Sequence, residues 1–176
     1  MKGFITKLSL AQAKIPAFKS KISLASFCGG SSPEPAPLIS FGKFCDISEV
    51  PKKGGTYEEL EAYKKKYETR FSLEGYLSLP TMFGLASETF GLDLKQNPED
   101  SSRIVAYFKL GTGKNQLKTP PDKYTPDDLE VTDVNGEKAG RTTKVRVHGR
   151  RSVVITVEGD KVQQCYMNVD RVEIVK

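Results

Sequence analysis

The chain has 176 residues, 38% of them apolar and 28% charged, with 27 lysines and arginines against 22 acids, one histidine, three cysteines and no tryptophan. That length suits one folded domain, the composition is neither that of a disordered nor that of a fibrous chain, and no run approaches the roughly 20 apolar residues of a transmembrane helix. Three cysteines cannot all pair, which argues against a disulfide framework, and a single imidazole leaves little for a histidine-based metal site or catalytic triad.

The net charge of +5 sits at one end. Residues 1–33 hold Lys2, Lys7, Lys14, Lys19 and Lys21 and no acid, whereas from Glu34 to Lys176 basic and acidic residues number 22 each. Such an arm attracts polyanions: nucleic acid, anionic lipid or the acidic face of a protein. A solvated terminus is the plainer reading. Cys28 followed by GGSSPEPAP is similar to the cysteine and tether of a bacterial lipoprotein. Yet Phe27 stands where a small residue belongs, and Lys14, Pro16, Lys19 and Lys21 interrupt the apolar run that a signal peptide needs. An acid-free, serine-containing start also suits an organelle transit peptide. The expected location is the cytoplasm, a virion or another large complex, ahead of the envelope.

From Gly29 to Gly55, the stretches GGSSPEPAP and PKKGG cannot hold a helix or a central strand, because proline removes ladder donors and glycine costs entropy. This segment reads as an extended linker broken by one apolar patch, LISFGKF at 38–44. Residues 1–55 are therefore expected to form an irregular arm and linker, and 56–176 the folded domain.

That domain opens on a capping box, Thr56 with Glu59. A helix follows whose stripe is Tyr57, Leu60, Tyr63 and Tyr67, with acids early and lysines late as the helix dipole prefers. The period then changes to two. In 70–80, Phe71, Leu73, Gly75, Leu77 and Leu79 share one face, and Gly75 marks a bulge or bend. TMFGLASETFGLDL (81–94) reads as a short helix or loop insertion with Met82, Phe83, Leu85, Phe90 and Leu92 inward. RIVAYFKL (103–110) alternates again as a strand. LEVTDV leads to Asn135-Gly136, the strongest short hairpin signal in the chain. TKVRVHG (143–149), SVVITV (152–157), KVQQCYMNV (161–169) and VEIV (172–175) read as further strands, with a second hairpin turn at Glu158-Gly159-Asp160. Five or six strands with hairpin links describe a mainly β protein, a small closed barrel with one N-terminal helix.

The runs RFSLEGYLSLP, RIVAYFKLGTGKNQL, LEVTDVNGEKAGRTTKVRVHGRR and CYMNVDRVEIV together resemble the OB-fold in its tRNA-anticodon-binding-like form, over residues 68–176. The resemblance implies a five- to six-stranded OB-like barrel and a non-enzymatic binding module. Many such barrels take oligonucleotides and others only protein.

No catalytic residue, cofactor or metal site is expected. The cysteines lack a CxxC spacing, and Cys165 reads as a small apolar core residue. Gly-Thr-Gly-Lys (111–114) has Phe108 and Asn115 where a phosphate loop needs glycine and Ser/Thr. Asp127, Asp128, Glu130 and Asp133 suit a capped turn better than a cation site. The candidate interface with nucleic acid or a partner is Lys144, Arg146 and His148 alternating outward, with Arg150, Arg151 and Lys114, and with Tyr76 and Tyr107 to stack bases. The arm lysines would add phosphate contacts. The alternatives are a structural subunit of a large assembly such as a phage particle, its arm threading between neighbours, and an OB-type envelope lipoprotein.

Overall fold

The computed structural model describes residues 33–46, 56–81, 85–86, 88–155 and 162–176. The five arm lysines, Cys28, Met82, Phe83 and the expected turn at 158–160 lie outside these residues. Among the described residues two α-helices, α1 (Phe41–Phe44) and α2 (Tyr57–Tyr67), precede nine strands. The strands are β1 (Arg70–Ser78), β2 (Leu85–Ala86), β3 (Thr89–Lys95), β4 (Ile104–Lys109), β5 (Gln116–Leu117), β6 (Val131–Thr132), β7 (Lys138–Ala139), β8 (Lys144–Ile155) and β9 (Val162–Ile174). Among the described residues no helix is long and apolar enough to cross a membrane.

The α2 capping box forms as expected: the Thr56 N–H donates to Glu59 Oε2 at 2.9 Å and the Glu59 N–H to Thr56 Oγ1 at 3.3 Å. The helix stripe is corrected at its first member, for Tyr57 is 72% exposed and only Tyr63 of the tyrosines described with side chains is half-buried.

Five strands close a barrel in the circuit β1–β3–β4–β9–β8–β1. Every contact in that circuit is antiparallel except β4 with β9, which is parallel. This is an OB-like barrel, the five-stranded Greek key that removes almost all sheet edge. Its core is the inward series of each strand: Leu73 and Leu77, Phe90, Leu92 and Leu94, Ile104, Ala106 and Phe108, Val145 and Val147, then Met167, Val169 and Val172. Closure needs two points where backbones nearly touch, and glycine stands at both. A Cβ on Gly75 would collide with the Lys95 carbonyl, where β1 changes partner from β8 to β3. One on Gly149 would collide with the Asn168 carbonyl, at the bulge where the β8–β9 register shifts. Gly75 therefore marks a crossing of strands, and the register shift lies opposite Gly149, where Asp170 of β9 is the extra residue.

Four expectations about elements change. Residues 89–95, read as part of a helical or loop insertion, are a full barrel strand, because Phe90, Leu92 and Leu94 repeat every second residue. The strands expected at 143–149 and 152–157 run together in the single 12-residue Lys144–Ile155, and those expected at 161–169 and 172–175 in the single 13-residue Val162–Ile174, with 156, 157 and 161 outside the described residues. The Asn135-Gly136 turn does join two strands, but they are the two-residue β6 and β7. These form with β5 a small separate sheet in the β4–β8 connection.

The largest change concerns the supposed linker. Residues 32–176 form one compact unit, with 33–46 applied to the barrel as a strap. β1 pairs with β3 only at Tyr76–Ser78, which leaves the edge of its first half open. The strap fills it: the Ser72 N–H donates to Pro37 O at 2.7 Å and the Ile39 N–H to Ser72 O at 3.0 Å. Phe44 is then buried in the core, and Cys45 is joined to Cys165 of β9 by a disulfide with 5.7 Å between the Cα atoms. Cys165 is thus a cross-link rather than a small core residue. The apolar patch 38–44 outweighs its proline-rich flanks because burying one phenylalanine side chain contributes on the order of 2–3 kcal/mol.

Candidate functional site

β8 does present Lys144, Arg146 and His148 on the outer wall, but the neighbouring strands and the strap engage all three. Glu74 of β1 lies opposite Arg146. It accepts from Arg146 Nε at 3.0 Å and pairs with Lys144 Nζ at 3.2 Å. The hydrogen bond from Arg146 is the main reason its carboxyl titrates below the usual range. His148 was expected outward and exposed; it faces outward but is 0% exposed, roofed by the strap, whose Ala36 N–H donates to Nδ1 at 3.0 Å. Burial pushes its pKa down.

Arg150 and Arg151 part company. Arg151 turns inward and is 5% exposed. It donates from Nη1 to Phe44 O at 2.7 Å and lies 5.2 Å from the Phe71 ring centroid. It secures the strap and, unlike the surface residue expected, is nearly buried. Arg150 stays exposed. Lys114 is exposed in the 111–115 loop, next to Asn115, whose Oδ1 accepts the Val172 N–H of β9 at 2.9 Å. Tyr76 is half-buried and lines a cleft of about 510 Å³ with Leu38, Phe41, Glu74, Gln96 and Lys144.

Tyr107 belongs to a different surface, which the barrel assembles from separate strands. The pairing Gly91↔Tyr107↔Asn168↔Arg150↔Arg70 runs across β3, β4, β9, β8 and β1, and all its side chains point outward. One step along β9, Tyr166 packs edge-on against Tyr107, with ring centroids 5.2 Å apart and planes at 81°. Gly91 leaves space for that ring, since a Cβ there would stand 3.2 Å from Tyr107 Cε1. Lys109, two residues beyond Tyr107, and Asn168 are exposed. Among the described residues Lys109, Lys114 and Arg150 carry no ion pair. Most other cations have acidic partners: Arg70 with Asp170, Arg103 with Asp93, Lys118 and Lys138 with Glu130, Arg141 with Asp127, and Arg171 with Glu173.

Sequence reasoning missed Tyr166, Asn168 and Arg70. The first two were within reach, because CYMNV alternates Cys165, Met167 and Val169 inward against Tyr166 and Asn168 outward. The acids near 127–133 are committed to structure. Thr125 donates its N–H to Asp128 at 2.6 Å, and Asp133 Oδ1 accepts the Asn135 and Glu137 N–H groups at 2.8 Å each. Among the described residues no group of three or more His, Cys, Asp or Glu is arranged to hold a metal ion.

The sequence matches no family model, and no curated protein matches it.

Proposed function

We propose that this chain is a non-enzymatic binding module that holds an extended single-stranded nucleic acid across the outer face of β3, β4, β9 and β8. The observation that carries the reading is the Tyr107–Tyr166 pair, bordered by the exposed Lys109, Asn168 and Arg150. Aromatic faces accept bases of any sequence, while flanking cations follow the backbone. The arm lysines add charge without base discrimination. Of the described cations without an acidic partner, Lys109 and Arg150 border the tyrosine pair and would supply the phosphate contacts of this face. Each should add about 0.7 to the slope of log affinity against log salt. Oligonucleotide affinity at two salt concentrations, for the full chain and for Tyr107→Ala, tests the reading. Absence of binding at low salt removes it.

A second reading, an envelope or otherwise exported OB-like module, is favoured by the Cys45–Cys165 disulfide. Structural disulfides persist in oxidising compartments and are rare in the cytosol. Here Cys28 and the GGSSPEPAP stretch would serve as anchor and tether. Thiol counting on protein isolated from its source under alkylating conditions decides it. Cys45 and Cys165 resistant to alkylation support export, and both alkylated oppose it.

A further inference from the structure

The strap depends on a group that it also hides. His148 Nδ1 accepts the Ala36 N–H, so the ring's own proton is on Nε2. Nε2 lies 3.5 Å from Glu173 Oε2 and is buried without a hydrogen bond. The two halves of the strap are held differently. Residues 37–46 are fixed by the Ser72 ladder through Pro37 and Ile39, by Phe44 in the core and by the disulfide. Residues 33–36 are largely exposed and bury little of themselves. Besides the Ala36 contact, Arg70 Nη1 donates to Glu34 O at 2.8 Å, Arg171 Nη1 to Pro33 O at 2.9 Å, and Ser72 Oγ to Ala36 O at 2.9 Å.

We propose that residues 33–36 are a pH-sensitive latch: protonating His148 at Nδ1 turns the acceptor of the Ala36 N–H into a donor, and this part of the strap lifts while 37–46 stays anchored. The inference rests on the strap's geometry and not on the ligand proposed above. The charged groups around the ring are Arg146 on its own strand, Arg171 and Glu173 on β9, Arg70 and Glu74 flanking Ser72 on β1, and Glu34 on the strap. Burial, the largest influence, disfavours the charged ring; Glu173 favours it, and Arg171 and Arg146 oppose it. The closed state therefore binds the proton less well than the open state. Above the ordinary histidine value of 6.5 the latch is unaffected, and below it the closed state loses stability as pH falls. Lifting would release the Arg70 and Arg171 guanidiniums from the strap carbonyls, next to a charged imidazole and contiguous with Arg150.

The test uses the intact chain, whose single histidine makes the imidazole resonance self-assigning. Its titration is followed together with hydrogen exchange at the Ala36 amide from pH 8 to pH 5, corrected for intrinsic exchange rates. The expected result is an Ala36 opening constant that is flat above about pH 7 and then rises by up to about tenfold per pH unit, the limit for one proton. The Ala106 amide in β4 should not change. In His148→Gln, which retains an acceptor but not the titration, the pH dependence should vanish. If that variant fails to fold, the wild-type comparison of Ala36 with Ala106 decides alone. Constant Ala36 protection down to pH 5, a parallel opening of Ala106, or unchanged pH dependence in folded His148→Gln would each overturn the proposal.

Discussion

The barrel wall carries two rows of outward side chains that look alike in composition and differ in availability. Along β8, Lys144, Arg146 and His148 form a row that any strand alternation reveals, yet Glu74 holds the first two and the strap roofs the third. Across β3, β4, β9 and β8, Tyr107, Asn168 and Arg150 form a row that no single segment displays, with Lys109 and Tyr166 beside it. A run of cations on one strand says what could meet a ligand. The acids on the adjacent strands decide whether those charges are already matched.

The contrast can be broken from the covered side first. Phe44→Ala withdraws a fully buried ring from the core. It should lower stability by about 3–5 kcal/mol, read from the urea midpoint, and should also expose Arg151, which bonds to the Phe44 carbonyl. Reducing Cys45–Cys165, which closes a loop across a separation of 120 residues, should cost about 2–5 kcal/mol by the same measurement.

The open row is expected to respond in binding. Tyr107→Ala or Tyr166→Ala should weaken single-stranded oligonucleotide binding by about 1–3 kcal/mol, measured by fluorescence anisotropy. Arg146→Ala supplies the smallest effect and sharpens the comparison most. It should change that affinity by less than about 0.5 kcal/mol, as for a residue remote from the ligand. Its loss from the half-buried, solvent-screened Glu74 pair should lower stability by about 1 kcal/mol or less. The sign of that pair's pH dependence follows from the lowered Glu74 pKa. Its contribution is complete above the ordinary value of 4.5 and fades as pH falls through the lower folded value, so wild type and Arg146→Ala should converge in strong acid.

Where residues speak to their immediate neighbours, the sequence was legible. The Thr56–Glu59 box, the strands at 70–78 and 104–109 and the Asn135-Gly136 turn all follow from spacing over a few positions, and the inward residues of those strands form much of the core. The strand at 89–95 was legible too, in Phe90, Leu92 and Leu94, but glycine and the preceding segment obscured its period.

A mainly β chain with period-two strands, one capped helix and a basic excess confined to the first 33 residues can be read from the residues alone, because each of these depends on local order or plain counting. That Phe44 enters the core, that Cys45 meets Cys165, that His148 is roofed and that Tyr107 finds Tyr166 are settled by the three-dimensional packing. Each of these joins residues far apart in the chain. Cross-strand register and the parallel closure of β4 on β9 fix such meetings, and neither leaves a periodic trace along the chain.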